Sequence, residues 1–176
     1  MGGGDQERLV KRLAGTPMFA VMKNRFNTDP NFIIGGTSAG AHAMSGQMIY
    51  EMARDKQGFG FTPIVIDTHV DGKKVKRMVN GEEEMVLRQT LRVEEALALG
   101  QNKVGLAIEE GVAVLIPAEG DIRVFGRKQD EHDEQRTKQV TFMVGDTKIP
   151  VKVGARLPLA ALGLSEEKET ASVGRP

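Results

Sequence analysis

The sequence has no cysteine and no tryptophan among its 176 residues, and it has a single tyrosine. Without cysteine, the chain can form no disulfide bond, no cysteine-based zinc site and no thiol nucleophile. Its apolar runs are far shorter than the ~20 residues that a membrane-spanning helix needs. Residues 1–5 have neither the basic region nor the apolar core of a signal peptide. We therefore expect a cytoplasmic protein with no membrane segment.

The charges balance, because 24 basic and 24 acidic residues give a formal net charge of zero. Proteins that bind nucleic acid or anionic membranes through their overall charge carry an excess of basic residues, so we expect neither partner. The length suits one domain with a single core, which we assign to residues 1–164. The polar residues 165–176 are expected to form a disordered tail.

Glycine, in contrast, is abundant, and the most informative glycines flank Ser38. Residues 36–40 read Gly-Thr-Ser-Ala-Gly, which fits the G-x-S-x-G pattern of a nucleophile elbow. The apolar residues 32–34 before it are typical of a strand, and residues 41–50 after it are typical of a helix. Backbone N–H groups at such a helix start can stabilise an oxyanion. The bare pattern also occurs in structural turns, and the flanking elements favour a nucleophile.

Helices are predicted from about residue 6 to residue 13 and from residue 17 to about residue 25, with Thr16 as the N-cap of the second. Further along, the patterns indicate a polar turn at residues 54–58, a buried strand at 64–66, a basic turn at 71–77 and a long amphipathic helix at 82–99. The remaining segments are typical of strands, at residues 104–108, 112–116, 122–125, 140–144 and 148–153.

The order of these elements predicts an α/β fold. Alternating helices and strands in the first part favour a parallel sheet, and the β-rich C-terminal part favours antiparallel edge strands. We therefore expect a mixed sheet with helices on both faces.

A serine nucleophile needs a base, and the chain has three histidines. His42 lies on the elbow helix and is interpreted as a capping or partly exposed helix residue. His132 lies in an acidic run that is typical of a solvated loop. His69 follows the buried strand at residues 64–66 and is therefore the best candidate base. The acid that orients it is Glu109 or Glu110, and the residues alone leave both open.

Four segments, taken in chain order, resemble the cyanophycinase and peptidase E family of serine peptidases. They read Gly-Gly-Asp-Gln at residues 3–6, Ile-Gly-Gly-Thr-Ser-Ala-Gly-Ala at 34–41, Ile-Asp-Thr-His at 66–69 and Gly-Leu-Ala-Ile-Glu-Glu at 105–110. The resemblance extends over about residues 3–125 and implies a flavodoxin-like fold with a mostly parallel sheet. It implies a triad of Ser38 as nucleophile, His69 as general base and Glu110 as acid, with Glu109 as the register alternative.

The resemblance also implies a substrate region beside the triad. Backbone groups of the segment Gly4, Asp5 and Gln6, together with Ala39, would supply the oxyanion hole. Family members release β-aspartyl-arginine dipeptides from cyanophycin or cleave aspartyl dipeptides, commonly as homodimers. We therefore expect an aspartyl peptide substrate, a homodimer, and neither a cofactor nor a metal ion.

Some features depart from the family pattern. Family members carry further strands before the Gly-Gly-Asp-Gln segment, so we expect a shortened sheet with an exposed edge. Thr68, next to Asp67, stands where the family has glutamine. Lys73-Lys74-Val75 stands where cyanophycinases have Arg-Gly-Arg. Lys73 retains a positive charge for a substrate carboxylate but lacks the planar fork of arginine.

Two other functions are compatible with these residues. A shortened relative can keep the motif residues without their geometry and act as an inactive binding or interaction protein. The glycine-rich turn can also be an anion-binding loop. The second alternative ranks last, because it leaves the histidine and glutamate segments unexplained.

Overall fold

The computed structural model describes residues 1–70, 74–79, 81–127 and 138–164. Lys73, His132 and the expected tail at residues 165–176 lie outside the described residues. The described helices are α1 Gln6–Leu13, α2 Pro17–Thr28, α3 Ala39–Met44 and α4 Arg88–Ala98, and a short 3-10 helix spans Leu159–Leu162. The described strands are β1 Gln47–Tyr50, β2 Ala53–Gln57, β3 Ile64–Val70, β4 Lys74–Val79, β5 Glu82–Leu87, β6 Val104–Glu109, β7 Val112–Leu115, β8 Asp121–Gly126, β9 Gln139–Val144, β10 Thr147–Lys152 and β11 Arg156–Pro158.

The central sheet has four strands in the order β10-β9-β6-β3. Strands β3 and β6 are parallel, with Ile66 opposite Leu106. Strand β9 runs antiparallel to β6 and returns through Gly145-Asp146 into β10. Because β3 and β6 are parallel neighbours, their carboxyl ends meet at one edge of the sheet. That edge therefore brings the segment after Ile66 close to the segment after Leu106.

Two apolar layers cover the faces of this sheet. On one face, Ile64, Ile66 and Phe142 pack against Ile122 and Val124 of the three-stranded sheet β11-β8-β7. Each such fully buried side chain contributes about 1.5–3 kcal/mol to folding. The core therefore lies between the two sheets.

The opposite face packs against α4. There Val65 and Met143 contact Val93 and Ala96 of the helix. A Cβ atom placed on Gly105 would lie 2.2 Å from Cγ1 of Val93. Only glycine at position 105 therefore allows the helix to approach the sheet this closely.

The expected flavodoxin-like fold with a mostly parallel sheet is wrong. Among the described strands, β3 and β6 form the one parallel pair, and the remaining strand pairs are antiparallel. The sheets are small, and a second sheet packs on one face of the central sheet, where only helices were expected. The physical reason is connectivity: short turns join β7 to β8 and β9 to β10, and short turns return the chain antiparallel.

The helix expected at residues 82–99 begins only at Arg88. Residues 82–87 instead form β5, which pairs antiparallel with β4, where a basic turn was expected. In this ribbon Arg77 lies opposite Glu84, and Lys76 Nζ lies 2.7 Å from Glu83 Oε2. Cross-strand pairs of opposite charge stabilise the ribbon and override the helix preference of glutamate.

The elements around Ser38 also differ from the prediction. Residues 32–34 form no strand and pair with none of the described strands. The helix expected at residues 41–50 ends at Met44, and its second half forms β1. Strand β1 pairs with β2, where a polar turn was expected. Gly46 follows the helix, and glycine disfavours its continuation.

The two N-terminal helices confirm the sequence prediction. Asp5 caps α1, since its Oδ1 accepts the Arg8 amide at 2.9 Å. Thr16 caps α2 by accepting the Phe19 amide at 3.2 Å, and Pro17 is the first helical residue. The Phe19 ring packs on Phe59 with centroids 5.0 Å apart and anchors α2 to the loop before β3. None of the helices in the described ranges has the length and apolar character needed to cross a membrane.

Candidate active site

Ser38 lies at the turn into α3 in a strained backbone conformation, with φ 51° and ψ −121°. A non-glycine residue in such a region costs about 1–3 kcal/mol and needs support from its surroundings. The flanking glycines supply that support. A Cβ atom on Gly36 would lie 2.3 Å from the Gly40 carbonyl oxygen, and one on Gly40 would lie 2.5 Å from the Met1 carbonyl oxygen. Both glycines of the G-x-S-x-G pattern are therefore required by steric contact.

The glycine-rich N-terminal segment lies against this turn. The Met1 amino group donates to the Gly35 carbonyl at 2.6 Å, and the Met1 carbonyl accepts the Thr37 amide at 3.1 Å. A Cβ atom on Gly3 would lie 3.7 Å from Ser38 Oγ. The backbone of this segment therefore forms one wall of the space around the Ser38 hydroxyl.

His69 lies near the end of β3, with φ 60°. Its Nε2 lies 2.8 Å from Ser38 Oγ, and its Nδ1 is hydrogen-bonded to Oε1 of Glu110. A carboxylate only accepts hydrogen bonds, so neutral His69 carries its proton on Nδ1 and leaves Nε2 to accept the Ser38 hydroxyl. The His69 side chain is 54% exposed, so a substrate can reach it from solvent.

The structure resolves which of the two adjacent glutamates faces His69. Glu110 follows β6 directly and contacts the imidazole. Glu109, the last residue of the strand, points elsewhere: it is 8% exposed and its Oε2 accepts the Gln139 amide at 3.2 Å. Successive residues of an extended chain point to opposite sides. Glu109 therefore points into the protein, and Glu110 points toward His69.

The side chains of Asp5 and Gln6, which were expected in the substrate region, form hydrogen bonds with other parts of the chain. Asp5 Oδ2 accepts the Tyr50 hydroxyl at 3.3 Å, while the Arg8 amide bound to its other oxygen holds the pKa of Asp5 below its usual range. Partial desolvation, followed by the charge of Asp5, raises the pKa of Tyr50. Gln6 Nε2 donates to the Ile49 carbonyl at 3.0 Å. The Asp5 and Gln6 side chains therefore support the local backbone.

His42 is the residue whose environment the sequence interpretation missed. It was interpreted as capping or partly exposed, and it is buried instead, with 6% of its surface exposed. Its Nε2 accepts the Thr68 amide at 3.1 Å and lies 3.2 Å from Asp67 Oδ1. The helix around it contains only small and apolar residues besides His42, a pattern that indicates burial on all sides.

Asp67 and Gln89 are two further polar residues that are buried behind the site. Asp67 is fully buried, and its Oδ2 lies 3.4 Å from Arg92 Nε. Desolvation lowers the pKa of Arg92, and the charge of Asp67 opposes that shift. Gln89, also fully buried, donates from Nε2 to the His69 carbonyl at 2.7 Å. Gln89 shares the buried side of α4 with Val93 and Ala96, and that spacing was a sign of its burial.

The described residues offer no cluster of three or more histidine, aspartate and glutamate side chains that can hold a metal ion. At the site itself, the hydroxyl of Ser38, the imidazole of His69 and the carboxylate of Glu110 contact one another in that order.

Comparison with known proteins adds the family. Two similar proteins, from Synechococcus elongatus and Thermosynechococcus vestitus, are both named cyanophycinase and are each 27% identical to this chain over 138 residues. Each alignment covers 72% of this chain but 38% of the relative, so the chain spans well under half the length of these relatives. The sequence model of peptidase family S51 matches residues 1–124. The resemblance found in the motifs is thereby confirmed, and the chain belongs to peptidase family S51.

Proposed function

We propose that this chain acts as a serine peptidase, with Ser38 as nucleophile, His69 as general base and Glu110 as the acid that orients the base. The observation that carries the proposal is the 2.8 Å contact between His69 Nε2 and Ser38 Oγ, continued by the hydrogen bond from His69 Nδ1 to Glu110. Serine, histidine and carboxylate linked in this way activate a hydroxyl for acyl transfer on several unrelated folds. Membership of peptidase family S51 supports the same activity.

In the proposed reaction, Ser38 Oγ attacks the carbonyl carbon of the scissile bond while His69 Nε2 accepts the hydroxyl proton. Glu110 stabilises the imidazolium that forms. The tetrahedral intermediate then collapses, and His69 gives the proton to the leaving amine, which leaves an acyl ester on Ser38. A water molecule, deprotonated by His69, hydrolyses the ester and regenerates the serine.

The oxyanion of the tetrahedral intermediate needs N–H donors at about 2.7–3.1 Å. We propose the Ala39 amide, at the start of α3, as one donor. The backbone of the segment Gly4, Asp5 and Gln6 is the proposed source of a second, and the closeness of Gly3 to Ser38 supports this assignment. Gly4 has φ 125°, a conformation open to glycine, which lets the segment turn at this point.

The proposed substrate is an aspartyl peptide, cyanophycin or an aspartyl dipeptide. The names of the two similar proteins support it. Strand β4 follows His69 closely in the chain and exposes Lys74, and Lys73 precedes it in sequence. Positive charge there suits the free carboxylates of such a substrate. Asp67 is fully buried, and Thr68 Oγ1 lies 3.1 Å from His42 Nε2, so we assign these two to supporting the site.

We further propose that two copies of the chain associate in solution. Helix α2 and the following loop expose the apolar side chains of Met18, Val21 and Ile33, with exposed fractions of 61%, 61% and 76%. Exposed apolar surface of this kind commonly marks an association surface. Light scattering should give twice the chain mass of 19.1 kDa, and a value of 19.1 kDa at all concentrations would contradict the proposal.

The activity is tested by incubating the folded protein with a β-aspartyl-arginine dipeptide, an α-aspartyl dipeptide and a glutamyl dipeptide. Mass spectrometry follows the released amino acids. We expect release from an aspartyl substrate by the wild type and by Thr147→Ala, a control that removes an exposed hydroxyl, but not by Ser38→Ala. Release by Ser38→Ala contradicts the assigned nucleophile. No release from either aspartyl substrate favours the alternative of an inactive relative that acts as a binding protein.

A further inference from the structure

Strand β3 is irregular at the place where it carries His69. The β3–β6 register runs in step up to the pair Asp67 and Ala107, and then resumes at Val70 opposite Glu109. One residue more lies on β3 than on β6 in this interval, which is the mark of a β-bulge. We call Thr68 and His69 the His69 bulge. Backbone groups in a bulge leave the ladder and need other partners.

On the N-terminal side of the His69 bulge, that partner is His42. The Thr68 amide donates to His42 Nε2 at 3.1 Å and also lies 3.0 Å from Asp67 Oδ1. Nε2 accepts this bond in the tautomer that carries its proton on Nδ1, which lies 3.3 Å from the Ile49 carbonyl oxygen and 3.2 Å from Gln6 Nε2. The ring is thus held at both nitrogens.

His42 is also tied directly to the nucleophile. It lies one turn after Ser38 on α3, and its amide donates to the Ser38 carbonyl at 3.1 Å. The helix that Ser38 precedes as N-cap therefore also carries the imidazole that holds the end of β3, where His69 lies.

On the other side of the His69 bulge, Gln89 of α4 is the partner. Its Nε2 donates to the His69 carbonyl at 2.7 Å. The side chains of His42 and Gln89 thus hold the backbone immediately before and at His69, and both residues are buried. A non-glycine residue keeps a left-handed conformation only where its surroundings enforce it, and His69 has φ 60°.

We propose that His42 and Gln89 are positioning residues for His69: they hold the His69 bulge in the conformation that points the imidazole at Ser38. This inference rests on the proposed role of His69 as general base. Without these two bonds, His69 relaxes toward extended backbone, and its ring moves away from the 2.8 Å contact with Ser38 Oγ. A displacement of about 1 Å at a reacting group can cost roughly a hundredfold in rate.

Two substitutions of His42 separate positioning from packing. In His42→Gln, the side-chain oxygen reaches the place of Nε2 and can accept the Thr68 amide. In His42→Asn, the shorter amide reaches only the place of Nδ1. The readout is the inactivation of the protein by a fluorophosphonate, resolved into the maximal rate and the half-saturating concentration, beside the melting temperature of each variant.

We expect His42→Asn to lower the maximal inactivation rate by roughly ten- to a hundredfold with an unchanged half-saturating concentration. His42→Gln should restore most of that rate. Gln89→Met, which keeps the shape but removes the donor, should lower the same rate and so tests the second contact if the His42 variants fail to fold. Equal rates in wild type, His42→Asn and Gln89→Met would overturn the inference, as would equal losses in the two His42 variants with equally lowered melting temperatures.

A measurement on the wild-type protein tests the hydrogen bond between Thr68 and His42 whether or not the protein is active. An N–H···N hydrogen bond transmits a scalar coupling between its two nitrogens, so NMR should detect a coupling between the Thr68 amide nitrogen and His42 Nε2. Its absence overturns the inference even in an active protein. If the coupling is present in a protein that no fluorophosphonate labels, the hold on the His69 bulge is supported and the proposed peptidase function fails.

Discussion

Nε2 of His69 lies 2.8 Å from Oγ of Ser38, although the two residues are 31 positions apart in the chain. Both residues have a positive φ, 51° at Ser38 and 60° at His69, which is uncommon for residues other than glycine. Such conformations persist when packing and hydrogen bonds leave the chain no alternative. The candidate site therefore joins two strained residues, each supported by its own close contacts, and those contacts can be tested one at a time.

The glycines around Ser38 give the first prediction. Gly36→Ala places a Cβ atom 2.3 Å from the Gly40 carbonyl oxygen, a backbone atom that cannot rotate away. We expect a loss of about 1–3 kcal/mol in the free energy of unfolding. Gly35→Ala is the matched control, because no heavy atom lies within 4 Å of its Cβ position. Thermal unfolding compares the two, and equal melting temperatures would contradict the steric account.

The two adjacent glutamates give the second prediction. Glu110→Gln removes the charge that stabilises the His69 imidazolium, so fluorophosphonate labelling of Ser38 should slow by roughly a hundredfold or more. Glu109→Gln should leave the labelling rate within about twofold, because Glu109 faces the Gln139 amide instead. Glu84→Gln controls for the loss of an exposed carboxylate. A larger effect of Glu109→Gln than of Glu110→Gln would reverse the assignment of the acid.

The contact between α4 and the central sheet gives the third prediction. Gly105→Ala puts a Cβ atom 2.2 Å from Cγ1 of Val93, so the helix must shift, at a cost of about 1–3 kcal/mol. Because the obstructing atom belongs to a side chain, Val93→Ala in the same protein should recover part of that loss. The double-mutant cycle measures this coupling by chemical denaturation. Additive losses would show that the two positions do not meet.

Asp5 gives a prediction about pH. Its pKa lies below the usual 3.8 in the folded protein, chiefly because the Arg8 amide binds the carboxylate. A lowered folded pKa means that the ionised group stabilises the fold above pH 3.8 and that this contribution disappears as the pH falls through the folded value. Asp5→Ala should therefore lower the melting temperature near neutral pH and have a much smaller effect at about pH 2.

The control for this pH dependence is Asp55→Ala, which removes an exposed carboxylate of β2. It should change the melting temperature little at either pH, since surface substitutions usually stay within about 0.5 kcal/mol. A destabilisation by Asp5→Ala that is equal near neutral pH and at about pH 2 would show that the charge of Asp5 does not contribute.

Local sequence patterns predicted much of the secondary structure. The predicted strands at residues 64–66, 104–108 and 140–144 lie in β3, β6 and β9, and Thr16-Pro17 begins α2. These elements follow from short-range chemistry: capping, fixed φ at proline, and side chains that fit a buried pleat. No distant partner is needed to recognise them.

The errors arose where a distant partner decides the structure. Residues 82–87 carry three consecutive glutamates, which favour helix, yet strand pairing with β4 prevails. Residues 32–34 look like a strand but pair with none of the described strands. Whether two strands pair parallel or antiparallel also depends on how the chain connects them, so it cannot be read from either strand alone.

For the candidate site, the sequence predicted the serine, the histidine and a neighbouring glutamate, but it did not predict the buried residues that hold them in place. Whether Glu109 or Glu110 faces His69 depends on where β6 ends, and a shift of one residue reverses the side to which each points. His42 lies beside Asp67 only because α3 packs against the end of β3. The burial of both side chains follows from that packing.

Activation of Ser38 by His69 can be tested by labelling the folded wild type with a fluorophosphonate and identifying the modified residue by mass spectrometry. Circular dichroism establishes that each protein is folded before labelling. We expect a single adduct at Ser38 in the wild type, and no adduct in His69→Ala. Folded wild-type protein without an adduct at Ser38, or His69→Ala labelled at the wild-type rate, would contradict activation of Ser38 by His69.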